Sequence, residues 1–141
     1  MNIAILTAEY NKDLTKRMKE IAQAKLSSLD ATVSQVAFVP GVLDMPLIAK
    51  KLLKNSDGLI VLGIVIKGDS DHDQVVANHA ISKLKDIELD LEKPIGFGII
   101  GPGISLEKAK ERIERYAEFA AETVVKQLKN LEGLRWKIYF G

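Results

Sequence analysis

The run GLIVLGIVI, from Gly58 to Ile66, carries no polar side chain at any of its alternating positions. A strand with one face in water alternates apolar and polar residues, so a run apolar on both faces reads as a central parallel strand covered by helices on each side. The segments around it fit that reading. Before it, the pattern predicts a strand over Asn2–Thr7 and a helix over Lys12–Leu26, whose face is Leu14, Met18, Ile21 and Ala22 with Lys25 as its solvated edge. A second strand follows over Thr32–Phe38, and Pro40 and Gly41 break the chain before a helix over Met45–Leu53, stopped by Asn55 and Gly58. After the run come a helix over Ser70–Leu84, a strand over Pro94–Ile100 and a long helix over Ser105–Lys129.

Strict βαβαβαβα alternation implies a parallel sheet with right-handed crossovers. The expected fold is α/β: a flavodoxin-like three-layer α/β/α sandwich around a four-stranded parallel sheet. Ligands in such folds bind beyond the carboxyl ends of the strands, near the point where strand order reverses. The unusual residues fall in those loops: Tyr10 and Asn11 after the first strand, Pro40 to Asp44 after the second, Lys67 to His72 after the third and Gly101 to Gly103 after the fourth. One rim collects the chemistry.

Composition removes several classes of function. The 141 residues, 47% hydrophobic and 28% charged, fit one domain over 1–141 without linker or repeat. Twenty Lys and Arg against 19 Asp and Glu leave a net charge of +1, with no basic face to engage nucleic acid. The absence of cysteine removes disulfides, thiol catalysis and thiolate metal sites, and is consistent with a reducing compartment. The opening MNIAILTAEYNKD has no signal-peptide pattern, and no apolar run approaches the ~20 residues that span a bilayer. A cytoplasmic chain without membrane or nucleic-acid partners is expected.

Two motifs fail on context. GFGIIG, with Gly96, Gly98 and Gly101, matches the dinucleotide pattern G-x-G-x-x-G, but Phe97, Ile99 and Ile100 make the segment itself a strand rather than the turn after one. Gly101, Pro102 and Gly103 read as the strand-to-helix loop, with Ser105 as N-cap. GDSDHD places Asp69, Asp71 and Asp73 at alternate positions, yet a calcium loop needs glycine where Gln74 stands and glutamate where Ala80 stands. His72 and His79 lie about 10 Å apart along one helix, too far to share an ion. No metal is expected.

The same segment suits an anion: Gly68 permits close backbone approach, Ser70 offers a hydroxyl, and the next helix presents unpaired N–H groups. The plainer alternative is that Asp69, Ser70 or Asp71 caps that helix. His72, in its first turn, has the chemistry of a general acid or base, whereas His79 is expected to be structural. Tyr10 either stacks on a heterocycle or packs over the strand end. Asp44 either accepts hydrogen bonds from ligand hydroxyls or caps the helix from Met45. Arg112, within EKAKERIER, belongs by default to a solvated face.

Taken together, AEYN (8–11), VPGVLDMPLIAKKL (39–52), LGIVIKGDSDHDQVVAN (62–78), PIGFGIIGPG (94–103) and the A-x-x-R of Ala109 to Arg112 resemble the 6,7-dimethyl-8-ribityllumazine synthase family over nearly the whole chain. VPG-x-x-[DE]-x-P and LG-x-V-I-[KR]-G-x-[ST]-x-H, in this order and spacing, are far more specific together than any signal above. The resemblance implies a transferase of riboflavin biosynthesis, which condenses 5-amino-6-(D-ribitylamino)uracil with 3,4-dihydroxy-2-butanone 4-phosphate without metal or organic cofactor. It also implies residue roles. Tyr10 would stack on the pyrimidine, Val42, Leu43 and Asp44 would contact the ribitylaminouracil, and Ile64, Val65 and Ile66 would meet it through their backbone. Gly68, Asp69 and Ser70 would line the phosphate site, and His72 would transfer protons. Phe97 and Arg112 would complete the site of an adjacent subunit in a homopentamer, the arginine gripping phosphate bidentately.

The HDQVV pattern and short amino terminus look like archaeal members. Asp69 stands where many bacterial members have a small residue, Asp73 where they have an aromatic, and Tyr116 and Ala120 where they often carry lysines. The alternatives are an archaeal-type riboflavin synthase, which shares VPG-x-x-D-x-P but lacks this histidine pattern, and a non-catalytic lumazine- or flavin-binding shell protein. The resemblance is compatible with free pentamers and with an icosahedral assembly of them. Finally, Leu134, Trp136, Ile138 and Phe140 alternate with Arg135, Lys137 and Tyr139, which predicts a half-buried strand in a docking tail over 132–141.

Overall fold

The structure, a computed structural model, describes residues 1–68 and 70–140, and the backbone alone from 136 onward. Its elements are β1 (Asn2–Ala8), α1 (Lys12–Ser28), β2 (Thr32–Val39), a 3-10 turn (Val42–Asp44), α2 (Met45–Lys54), β3 (Gly58–Ile66), α3 (His72–Leu91), β4 (Ile95–Ile104) and α4 (Leu106–Phe140). All strand pairs are parallel, in the order β2-β1-β3-β4. This is the flavodoxin-like order, whose switch point lies between β1 and β3.

The two-faced apolar run is the interior strand β3, buried from Gly58 to Ile64. Alternation sends Ile60, Leu62 and Ile64, with Ile3 and Ile5 of β1, into a core closed by α1 and α4. It sends Leu59 and Val61, with Ala4 and Leu6, into a second core closed by α2 and α3. On α1 the fully buried stripe is Thr15, Met18, Ala22 and Leu26, while Lys25 at its edge pairs with Glu122 of α4 at 3.1 Å. Leu14 and Ile21 are only partly buried beside them.

Three boundaries differ from those expected. α3 continues past Leu84 to Leu91 because Ile87 and Leu91 still pack on the second core, and it ends at Glu92 in the left-handed region. β4 runs through Gly101–Gly103, so this stretch is the end of the strand rather than a loop. Ile66 resumes pairing at Ile104 after a register irregularity, and positive φ at Gly101 and Gly103 makes the detour possible. Ser105 then caps α4, its Oγ accepting from the Lys108 N–H at 3.3 Å.

The third difference is the tail. α4 continues to Phe140 where a strand was expected. Extending an existing helix adds one backbone bond per residue, whereas a strand needs an edge to pair with. No residue from Lys129 to Arg135 is buried, and the side chains of Trp136, Ile138 and Phe140 lie outside the described residues. Among the described residues, no helix is long and apolar enough to cross a membrane.

Gly96 sets how closely α4 approaches the sheet. A Cβ there would run into the carbonyl oxygen of Ala120, a backbone atom that cannot swing aside. Gly96→Ala is therefore expected to destabilise the fold by about 1–3 kcal/mol, a change read as a lower denaturant midpoint in equilibrium unfolding.

Candidate active site

The loops at the carboxyl ends of the strands enclose a cavity of about 530 Å³. Its floor is the end of β3, Ile64 to Ile66, continued by Lys67 and Gly68. One wall is Tyr10. The β1 loop that carries it is tied to the β2 loop by Glu9 N–H to Val39 O at 2.8 Å and Tyr10 N–H to Pro40 O at 3.2 Å. The tyrosine is 68% exposed, so its ring is presented at the cavity rather than packed over the strand end. Gly41 and buried Val42 close the adjoining side.

The opposite wall is the start of α3, with Ser70, His72, Asp73 and Val76. Among the described residues no side chain caps this helix: Asp71 occupies the N-cap position without a side-chain bond to the backbone. The first-turn N–H groups and the positive end of the helix dipole are therefore available beside Gly68 and Ser70. Lys67 adds a cationic side chain to the same wall. Asp69 lies outside the described residues. His72 is exposed, whereas His79 is exposed elsewhere on the helix and does not line the cavity.

The structure thus gathers Tyr10, Val42, Ile64, Val65, Ile66, Gly68, Ser70 and His72 around one space. Four expected site residues stand apart from it. Leu43 is half exposed and does not line the cavity. Asp44 turns one carboxylate oxygen back to accept the Gly41 N–H at 3.0 Å on the 3-10 turn, and it does not cap α2, the helix it was expected to cap, through its side chain. Phe97 and Arg112 line a separate cavity of about 450 Å³ with Arg115, Tyr116 and Phe119, where β4 forms the sheet edge. There Phe97 lies beneath Lys85, whose Nζ is 5.0 Å from the ring centroid.

Sequence reasoning gave no site role to Gly41, Val76 or Asp73. Asp73 is the consequential one: 6% exposed, with Oδ2 accepting the Gly103 N–H at 2.8 Å and Oδ1 without a partner among the described residues. A signal for it exists in the sequence. Asp73, Ala77, Ala80 and Leu84 share one helical stripe, so a carboxylate occupies a position that spacing assigns to the core.

The chain is similar to several known proteins. The sequence model of the family described as 6,7-dimethyl-8-ribityllumazine synthase matches residues 1–132. The chain is 44% identical over 134 residues to the 6,7-dimethyl-8-ribityllumazine synthase of Methanothermobacter thermautotrophicus, covering 94% of this chain and 96% of that protein. It is 40% identical over 136 residues to the enzyme of the same name from Methanocaldococcus jannaschii, covering 95% and 96%. Among solved structures, a short-chain flavodoxin aligns over 88% of this chain and 99% of its own, with a TM-score of 0.48 and 12% identity.

A hydrogen bond to a charged group contributes about 1.5–3 kcal/mol, so Ser70→Ala should weaken orthophosphate binding about tenfold or more. Calorimetric titration of both proteins measures this, and equal affinities would show that the hydroxyl is not an anion ligand.

Proposed function

The chain belongs to the 6,7-dimethyl-8-ribityllumazine synthase family, and from that premise we propose that it condenses 5-amino-6-(D-ribitylamino)uracil with 3,4-dihydroxy-2-butanone 4-phosphate in riboflavin biosynthesis. The products are 6,7-dimethyl-8-ribityllumazine, phosphate and water. The observation that carries this reading is the one cavity in which a presented aromatic ring, a strand end, a helix start and a histidine meet.

Each part has a task. The Tyr10 ring stacks on the pyrimidine, and the backbone of Ile64 to Ile66 hydrogen-bonds its polar edge. Val42 and Leu43 contact the ribitylaminouracil, and Asp44 accepts hydrogen bonds from its ribityl hydroxyls. Gly68, Asp69, Ser70 and the first N–H groups of α3 hold the phosphate, and Lys67 balances the charge that Asp69 adds. Imine formation at the 5-amino group, phosphate elimination and ring closure need aligned reactants and a proton relay rather than a strong nucleophile. His72, beside the anion turn, supplies that relay.

Phe97 and Arg112 serve a neighbouring subunit in this reading. Their separate cavity on the β4 edge and the exposure of Arg112 support it, because neither residue faces its own chain's rim cavity. Exposed apolar side chains elsewhere, Leu47 at 71% and Val75 at 64%, provide further surface for self-association. The assembly is a homopentamer, free or within an icosahedral shell, in the cytoplasm; sedimentation distinguishes the two sizes.

His72→Ala is expected to reduce kcat for the condensation by about 10²–10⁴, the usual contribution of a general acid–base residue. A loss within twofold would assign the relay to another group. Mixing is the test of shared sites: His72→Ala and Arg112→Ala chains, each inactive alone, should recover activity when co-assembled, since about a quarter of randomly formed sites contain both intact residues. No recovery would place the two residues in one chain's site.

A further inference from the structure

Asp73 follows His72 on α3 and borders the same cavity, but from a buried position. His72 is exposed, whereas Asp73 is, among the described residues, the one charged side chain that the fold buries. Burying a carboxylate is unfavourable unless it is hydrogen-bonded, and the stripe below it is filled by Ala77 and Ala80, so packing alone does not call for an acid here. A favourable position in the first turn does not call for burial either, because an exposed aspartate gains the same from the helix dipole.

What burial does provide is a bond across 30 residues of chain, from the Gly103 N–H to Asp73 Oδ2 at 2.8 Å. Gly103 belongs to the tightly held end of β4. At neighbouring Gly101, with φ of 101°, a side chain would collide with the carbonyl oxygen of Val65. The same stretch holds the other end of the loop, where the Lys67 N–H donates to Ile104 O at 2.8 Å. The segment between β3 and α3, which carries Gly68 and Ser70, is thus fastened at both ends to Gly103 and Ile104.

We propose that Asp73 is the positioning residue of the anion turn, its bond to the Gly103 N–H fixing where Gly68, Ser70 and His72 stand at the cavity. The proposal rests on reading that turn as the phosphate site. It makes Asp73 a residue that acts through others, since Oδ2 is engaged with the backbone and the carboxylate is shielded from solvent.

Two substitutions in the full-length protein separate the bond from the charge. Asp73→Asn keeps an oxygen for the Gly103 N–H and removes the charge, and Asp73→Ala removes both. Asp73→Ala should weaken orthophosphate binding, raise KM for the phosphate-bearing substrate and lower kcat, each by about tenfold or more, as expected when reacting groups are misplaced. It should also speed hydrogen exchange at the Gly103 amide. Asp73→Asn should restore all four to within about threefold of the unaltered protein. If alanine prevents folding, Asp73→Ser, whose hydroxyl is too short to reach Gly103, replaces it. Two results would overturn the proposal: loss of thermal stability alone, with orthophosphate affinity and KM unchanged, or asparagine as damaging as alanine. Failure of the unaltered protein to bind orthophosphate would remove the phosphate reading and this proposal together. Normal binding that ignores the substitutions would remove this proposal alone.

Discussion

Because β3 is apolar on both faces, it cannot border water on either, and most of the architecture follows from covering it. The isoleucines and leucines of one face require α1 and α4, and those of the other require α2 and α3. Parallel neighbours then require crossovers, which return every chain segment to the same end of the sheet. The rim on which Tyr10, Val42, Ser70 and His72 meet is therefore a by-product of burying Ile60, Val61 and Leu62. Chemistry sits where the apolar run stops: burial falls from complete at Leu62 to partial at Val65 and Ile66, and the backbone there becomes reachable.

The site depends less on any strong group than on how its loops are held. The β1 and β2 loops are tied to each other through Val39 and Pro40, and the turn before α3 is tied to β4 through Ile104 and Gly103. Bonds of this kind fix geometry without occupying the side chains of Tyr10, Ser70 or His72. A condensation driven by alignment and proton relay benefits from such rigidity, since misplaced reactants cost more rate than a weakened contact does.

The sequence made the strands and the rim legible because both are local signals. β3 spans Gly58–Ile66 as its pattern alone indicates, and eight expected site residues line one cavity. What it hid was decided by contacts distant in the chain. Asp73 looks like an ordinary first-turn acid until Gly103, 30 residues away, is seen donating to it. Gly101 to Gly103 look like a loop until β3 is seen pairing on both sides of them, at Ile100 and again at Ile104. Asp44 has two local readings, and neither anticipates that its carboxylate accepts the Gly41 N–H on the 3-10 turn instead of capping the helix from Met45. At the tail, alternation from Leu134 to Phe140 suggests a strand, but the helix already under way continues.

The end of β4 has one more effect. An edge strand with a free row of N–H and C=O groups is a template for other chains to add to, and soluble proteins blunt such edges with proline, charge or a bulge. β4 has all three: Pro102 removes a donor, the irregular register near Ile66 bends the strand, and Arg112 and Lys85 flank Phe97 on that side. A foreign strand could zip along only its first few residues before meeting the detour. The detour that meets the turn before α3 thus also acts as a guard against fibrous aggregation.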